Sequence, residues 1–312
     1  FVSKVEKEVS EVAQESLTLD FYSVSNITDF VEKIVNGEGQ GTALPTGFPS
    51  IDEKIVGFHP GDFVIVAGRP GMGKTSFALS MAYYMAKDMI PVCFFSIEMP
   101  VRLLLLRLLS MHSGIPLKRI IAQDLSESEK NRISSAAREL ASLPIYMNDT
   151  VAGITQIRSL AKRIRDEKGV KAIFIDYIQQ VFVEWRVERR EEEISLISRL
   201  LKSLAKELDV TVVALSQLSR EPERRGENKR PQLSDLRESG SLEQDADTVI
   251  LLYRDHYYNP CQKSEEEFEC CPQARVAESI IAKNRNGPTG TVIVKFLGEV
   301  CLFEDYKFPR TG

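Results

Sequence analysis

Three glycines, a lysine and a threonine carry the first chemistry that can be read from this chain. Gly68-Arg-Pro-Gly-Met-Gly73-Lys74-Thr75 fits the pattern G-x-x-x-x-G-K-[ST] residue for residue. Backbone N–H groups can meet the oxygens of a triphosphate only where side chains leave room, and Gly68, Gly71 and Gly73 leave it. A helix beginning just after the loop adds partial positive charge at its N-terminus. Lys74 can then reach the outer phosphates, and the Thr75 hydroxyl can ligate Mg²⁺. The nucleotide-binding stretch is expected to be Gly68, Arg69, Pro70, Gly71, Met72, Gly73, Lys74, Thr75 and Ser76.

A second acid is needed to hold the metal. Ala172-Ile-Phe-Ile-Asp176 supplies it as an apolar strand ending in an aspartate, the Walker B arrangement. The residue after Asp176 is Tyr177, so the carboxylate that activates water must come from elsewhere. Glu98 is the candidate, after the strand at 92–97; if that strand neighbours the P-loop strand, Glu98 faces the γ-phosphate. The plainer alternative is a glutamate favoured by a helix N-terminus. A third strand ends in Ser216-Gln217, where a glutamine can hydrogen-bond the γ-phosphate and signal its loss.

These residues need elements to hold them. The apolar run 63–67 reads as a buried parallel strand, followed by the glycine loop and a helix over 76–87. Further strands are expected at 92–97, 143–147, 170–176, 209–215, 246–253, 276–282, 290–297 and 301–304. A helix at 194–208 places Ile194, Ile197, Leu201, Leu204 and Leu208 on one face. Strands separated by helices early and running uninterrupted late imply an α/β fold, mostly parallel with an antiparallel extension.

The chain of 312 residues, 43% hydrophobic and 27% charged, is long enough for one large α/β domain plus appendages. It begins at Phe1 rather than Met, as expected of a fragment or processed product. No secretory signal is visible. The longest apolar run, around 103–109, is broken by Arg107 and falls short of a membrane span. Five cysteines, one inside the strand candidate at 92–97, point to a reducing, cytoplasmic setting. A net charge of −5 argues against bulk attraction to nucleic acid, so any such site must be local and inward-facing. Residues 1–35 read as two short amphipathic helices and 36–47 as a linker. The expected organisation is a helical linker region at 1–43 and an ATPase domain at 44–312.

Together these motifs resemble the RecA-like P-loop motor domain of the bacterial replicative helicases, the DnaB family, over about residues 44–304. The most specific part is Leu233-Ser-Asp-Leu-Arg-Glu-Ser-Gly-Ser-Leu-Glu-Gln-Asp-Ala-Asp247. Phe95-Ser-Ile-Glu-Met, Ile175-Asp-Tyr-Ile-Gln, Ala214-Leu-Ser-Gln-Leu-Ser-Arg and Ala282-Lys-Asn-Arg-Asn-Gly-Pro-Thr-Gly agree with it. The resemblance implies a homo-hexameric ring that moves 5′ to 3′ on single-stranded DNA, unwinds duplex and hydrolyses ATP with Mg²⁺ between subunits. It implies phosphate contact by Lys74, Mg²⁺ at Thr75 and Asp176, the catalytic base at Glu98 and the γ-phosphate sensor at Gln217. Lys283 and Arg285 match the pair that enters the neighbouring subunit's site, the plainer reading of Arg285 being a solvated charge. Arg237, Glu238 and Gly240 match the segment that follows the DNA backbone. The residues agree in part: 219–240 is polar, punctuated by Pro222, Gly226 and Pro231, and barely net basic, so a solvated loop is a serious alternative. A second loop at 183–193 is a further channel-facing candidate.

The resemblance fails in two places. It does not cover the family's amino-terminal collar domain, so primase contact is not expected through this stretch; a helicase loader remains a candidate partner. The segment 256–272, with His256, Cys261, Cys270 and Cys271, reads as a lengthened solvated hairpin, with zinc binding or a Cys261–Cys270 bridge as alternatives. Two other functions compete with the helicase: a recombinase-type strand-pairing ATPase, and a loader or regulator without motor action.

Overall fold

A computed structural model gives the structure of the chain and describes residues 43–226, 228–260 and 272–306. The chain divides into Phe1–Thr42 and Ala43–Gly312. The helices expected at 1–35, most of the linker and the cysteines at 261, 270 and 271 lie outside the described residues. The second unit begins with helix α1, Pro49–Ile55, and strand β1, Phe63–Gly68. Helix α2 is Lys74–Lys87, β2 is Val92–Ser96 and α3 is Val101–Ser113. Then come α4, Leu117–Ala122; α5, Glu127–Ala141; β3, Ile145–Asn148; α6, Ile154–Lys168; and β4, Ala172–Asp176. Helix α7 is Arg190–Leu208, β5 is Thr211–Gln217, α8 is Glu221–Arg224 and α9 is Gly240–Asp245. Strand β6 is Thr248–Tyr253, α10 is Asp255–Tyr258, β7 is Val276–Asn284, β8 is Gly290–Leu297 and β9 is Leu302–Asp305.

Among the described residues nine strands form one sheet in the order β3-β2-β4-β5-β1-β6-β7-β8-β9. The six strands from β3 to β6 are parallel; β7, β8 and β9 extend the sheet antiparallel. That is the α/β architecture the sequence leads one to expect. β1 is apolar throughout because both its faces are covered. Val64 and Val66 pack with Phe77, Phe94, Phe174 and Phe303 on one side. Phe63, Ile65 and Ala67 pack with Ile194, Ile197, Leu201 and Leu204 of α7 on the other. Cys93, buried in β2, has its thiol pushed up to about 12 by burial and packs as a small apolar residue.

Three expectations need correction. β2 does not neighbour β1: β4 and β5 stand between them. Several boundaries move. Asp209 closes α7 with a left-handed residue, so β5 starts at Thr211 and includes Ser216 and Gln217; α2 begins at Lys74 itself, and β7 runs on through Lys283 to Asn284. The segment 219–240 is not a simple solvated loop. It contains α8 and a 3-10 stretch, Leu233–Ser239, anchored by buried Leu236 and by an Arg225–Asp235 ion pair whose carboxylate is buried. Polar composition concealed that order, because the burial rests on an ion pair that no periodicity reports.

Candidate active site

The loop between β1 and α2 is shaped by backbone conformation. Gly71 and Gly73 have φ of 82° and 94°, in the left-handed region that favours glycine. A Cβ on Gly71 would stand 2.7 Å from the tip of the exposed Tyr257 ring, which would have to move aside, while the positive φ alone disfavours a side chain there. No side chain caps the first turn of α2, which leaves its N–H groups directed at the loop. Lys74 Nζ donates to Gly68 O at 3.0 Å. Thr75 Oγ1 donates to Asp176 Oδ2 at 2.7 Å, joining the P-loop helix to the end of β4.

A cavity of about 380 Å³ opens at this junction. Its charged and polar lining includes Lys74, Thr75, Glu98, Arg107, Tyr177 and Gln217. Pro70, Gly71 and Gly73 complete the loop side, and Phe296 and Cys301 form an apolar wall. Of the nucleotide-binding stretch, Arg69 and Met72 do not present side chains here. Met72 is buried in the core, and Arg69 turns away to bond Leu218 O at 2.7 Å and Glu223 Oε1 at 2.8 Å.

Glu98 reaches the cavity although its strand is remote from β1. The reason is β4: β2 pairs with it through Ser96↔Asp176, and Ile97 N then donates to Asp176 O at 2.8 Å. Glu98 N makes a longer bond, 3.3 Å, to the same oxygen. The β2 and β4 ends are thus bound together, and their carboxylates share one site. Burial pushes Asp176 up to about 6, Glu98 adds to the rise, and the Thr75 hydrogen bond, Lys74 and Arg107 oppose it. Burial likewise lowers Lys74, with Asp176 and Glu98 acting against the shift. A buried carboxylate and a buried ammonium, with the more open Glu98 and Arg107 beside them, suit a polyanion carrying a divalent cation. The donors beside that position, a hydroxyl and a carboxylate, are the hard oxygen ligands Mg²⁺ takes with phosphates and water. Gln217 reaches the cavity from the last residue of β5, directly opposite Gly68.

Arg107 is the polar residue that sequence reasoning passed over. It is the one charge inside the apolar run of α3, and that position was its signal.

Lys283 and Arg285 lie elsewhere. β7 runs antiparallel to β6, pairing Tyr253↔Glu278 and Thr248↔Asn284, so it ends beside the start of β6. There Asp247 Oδ2 accepts from Phe63 N at 2.7 Å and from Lys202, and Oδ1 accepts from Arg285 Nη1 at 3.0 Å. Arg285 also donates to Gln244 O at 2.7 Å, and Lys283 donates to Glu243 O at 2.5 Å. Phe63 opens β1 and Gly68 ends it, so the six residues of that strand hold this edge roughly 17 Å from the chain's own P-loop.

The three residues matched to DNA contact fall on one short stretch. Arg237 and Glu238 are in the 3-10 segment, their side chains outside the described residues, and Gly240 opens α9 with open space where a Cβ would stand. Nearby basic residues are largely paired within the chain: Arg225 with Asp235, Arg230 with Glu278 at 2.6 Å, Arg224 with Glu221 at 3.2 Å. Of the second loop expected at 183–193, Val183 is buried and Trp185 exposed, and residues 190–193 belong instead to the first turn of α7. Among the described residues no cluster of His, Cys, Asp or Glu could hold a metal ion by itself, and the zinc or disulfide alternatives fall on cysteines outside them. Nor is any described helix long and apolar enough to cross a membrane.

Comparison with known proteins places the fold and the family. The chain is 41% identical over 309 residues to the replicative DNA helicase DnaC of Bacillus subtilis, covering 97% of this chain and 66% of that protein. It is 39% identical to the replicative DNA helicase DnaB of Geobacillus stearothermophilus, with the same coverage. The chain therefore spans slightly under two thirds of these relatives. Among solved structures it is similar to an isolated ATPase domain, with a TM-score of 0.82, 36% identity, and coverage of 92% of this chain and all of that one. It is also similar to a DnaB-like replicative helicase whose structure describes interactions with primase, with a TM-score of 0.79, 36% identity, and coverage of 97% and 72%. The profile of the DnaB-like helicase C-terminal domain matches residues 43–305, from before α1 to the end of β9, and the chain belongs to that family.

Proposed function

We propose that this chain is the motor of an ATP-dependent replicative DNA helicase, working as a cytoplasmic homo-hexameric ring that moves 5′ to 3′ on single-stranded DNA. Residues 44–312 form the motor, and 1–43 are the helical linker that precedes it. The observation that carries the reading is the Thr75–Asp176 contact of 2.7 Å, made in a cavity that Glu98 and Gln217 enter from two other strands. ATP binds with its phosphates on the loop from Gly68 to Gly73 and the start of α2. Lys74 meets the outer phosphates. Thr75 and Asp176 would hold Mg²⁺, which when bound would offset the charge of the phosphates. Glu98 accepts a proton from the attacking water as the new O–P bond forms and the bond to the ADP oxygen breaks. Gln217 contacts the γ-phosphate. Arg285 and Lys283, too distant to serve their own site, enter that of the next subunit and stabilise charge in the transition state.

Arg237, Glu238 and Gly240 of successive subunits line the channel and follow the DNA backbone without reading sequence. Ser219 N donates to Asp235 O at 3.0 Å, which connects the strand bearing Gln217 to that segment. A helicase loader is a partner of such a ring; primase contact is not proposed through this stretch. The test is strand displacement with ATP and Mg²⁺ on duplexes carrying a 5′ or a 3′ single-stranded tail. Displacement of the 5′-tailed substrate alone, lost in Lys74→Ala, supports the proposal. ATP hydrolysis without displacement or translocation on DNA contradicts the motor reading.

A further inference from the structure

We propose that Gln179 is a positioning residue for Gln217: its carboxamide stands in for a missing neighbouring strand and fixes the main chain that aims Gln217 into the cavity. The inference rests on the ATP-motor reading above and adds to it a residue that none of the motif roles includes.

β5 lies between β4 and β1. Its pairing with β1 continues to Gly68↔Gln217, whereas its pairing with β4 ends at Ile175↔Ala214. In a parallel ladder the N–H and C=O of one residue point to the same neighbour, and successive residues alternate. Leu218 N donates to Gly68 O at 3.3 Å, so the Gln217 main chain faces the other way, toward β4, where no strand remains. Gln179 fills that place. Gln217 N donates to Gln179 Oε1 at 3.2 Å, and Gln179 Nε2 donates to Gln217 O at 3.1 Å. Nε2 also donates to the buried Ser216 Oγ at 2.9 Å, so both its hydrogens are engaged.

Gln179 is itself held. It lies in a 3-10 turn, Ile178–Gln180, that follows Asp176 and Tyr177 directly and is anchored by buried Ile178. Arg190, the first residue of α7, donates to Gln179 O and to Val181 O. The acid strand, the sensor strand and helix α7 are therefore joined at one residue, through its side chain and its main-chain carbonyl. Gln217 is exposed, so without Gln179 water can satisfy its main chain. Loss of the clamp should free the geometry of Gln217 while the fold stands.

Gln179→Met in the full chain removes the polar atoms and nearly keeps the length. Hydrogen exchange at the Gln217 amide should accelerate by roughly tenfold or more, with the melting temperature nearly unchanged. ATP turnover should fall about tenfold, with affinity for a non-hydrolysable ATP analogue within about threefold of the parent. In a Gln217→Ala background the same substitution should change turnover by less than about twofold, because Gln179 acts through Gln217. Unaltered exchange at Gln217, undiminished turnover, or an equal loss in both backgrounds would each overturn the proposal. A parent chain without ATPase activity, even with DNA, would sink the motor reading separately. The exchange arm needs no turnover and would still decide the clamp: protection on adding the ATP analogue, present in the parent and lost in Gln179→Met, supports it, and equal protection in both refutes it.

Discussion

Arg285 Nη1 lies 3.0 Å from Asp247 Oδ1, at the end of the sheet opposite the P-loop of the same chain. The pair fixes where this guanidinium can act. A side chain held roughly 17 Å from its own nucleotide loop does not reach that site, and in the proposed ring it enters the next subunit's. Mixing Arg285→Ala with Lys74→Ala should therefore partly restore turnover, because some interfaces then join an intact loop to an intact arginine. Co-assembled mixtures that stay as inactive as either variant alone would weigh against that arrangement.

Glu98→Gln should bind ATP with near-parent affinity and lose turnover by about a hundredfold or more. The amide fills the same space but cannot take a proton. Steady-state hydrolysis beside equilibrium binding of a fluorescent ATP analogue checks this. A rate within about threefold of the parent would move the base elsewhere, with Asp176 the next group to examine.

Asp176 ties stability to pH. Its folded carboxyl is raised to about 6, above the 3.8 of a free side chain. Between those values the folded chain holds more protons than the unfolded one, so nucleotide-free stability falls as pH rises through that window. Asp176→Asn keeps an acceptor for Thr75 and removes the buried charge. Without Mg²⁺ or nucleotide it should be more stable than the parent at pH 7 by on the order of 1–3 kcal/mol, while losing ATPase activity. Denaturant melts at pH 4 and pH 7 measure this; a variant less stable than the parent at pH 7 would show that the charged form is favoured by its surroundings.

Leu201 is fully buried where α7 packs on β1 and its neighbours. Leu201→Ala should cost about 2–5 kcal/mol of folding stability through transfer and cavity terms. Chemical denaturation reads it directly. A loss below about 1 kcal/mol would mean that the site collapses around the smaller side chain.

How much was legible depends on where the information lies. The P-loop and the Asp176 strand were readable because their composition is forced locally: glycines by φ and by close neighbours, aliphatic residues by burial on both faces. Helix α7 was readable from its period. The route of Glu98 into the cavity was not legible, since strand order is not written in any one segment and β4, not β1, brings it there. Arg107 was passed over because its position on α3 matters only once the helix is docked. Segment 219–240 concealed its order in the Arg225–Asp235 pair. Gln179 closes the segment Ile175-Asp-Tyr-Ile-Gln, but that segment does not show its role, which depends on where β4 stops pairing with β5.

The central claim is that ATP is hydrolysed between subunits, and the concentration dependence of turnover tests it most directly. ATPase rate per subunit should be measured with single-stranded DNA across dilutions spanning ring assembly, for the parent and for Arg285→Ala. The account predicts that the parent's rate rises steeply as the oligomer forms. Arg285→Ala should match the parent where both are monomeric and fall about a thousandfold below it once rings form, as loss of an arginine delivered in trans requires, while nucleotide binding persists. A parent rate per subunit that does not change from monomer to oligomer, matched by Arg285→Ala throughout, would contradict it.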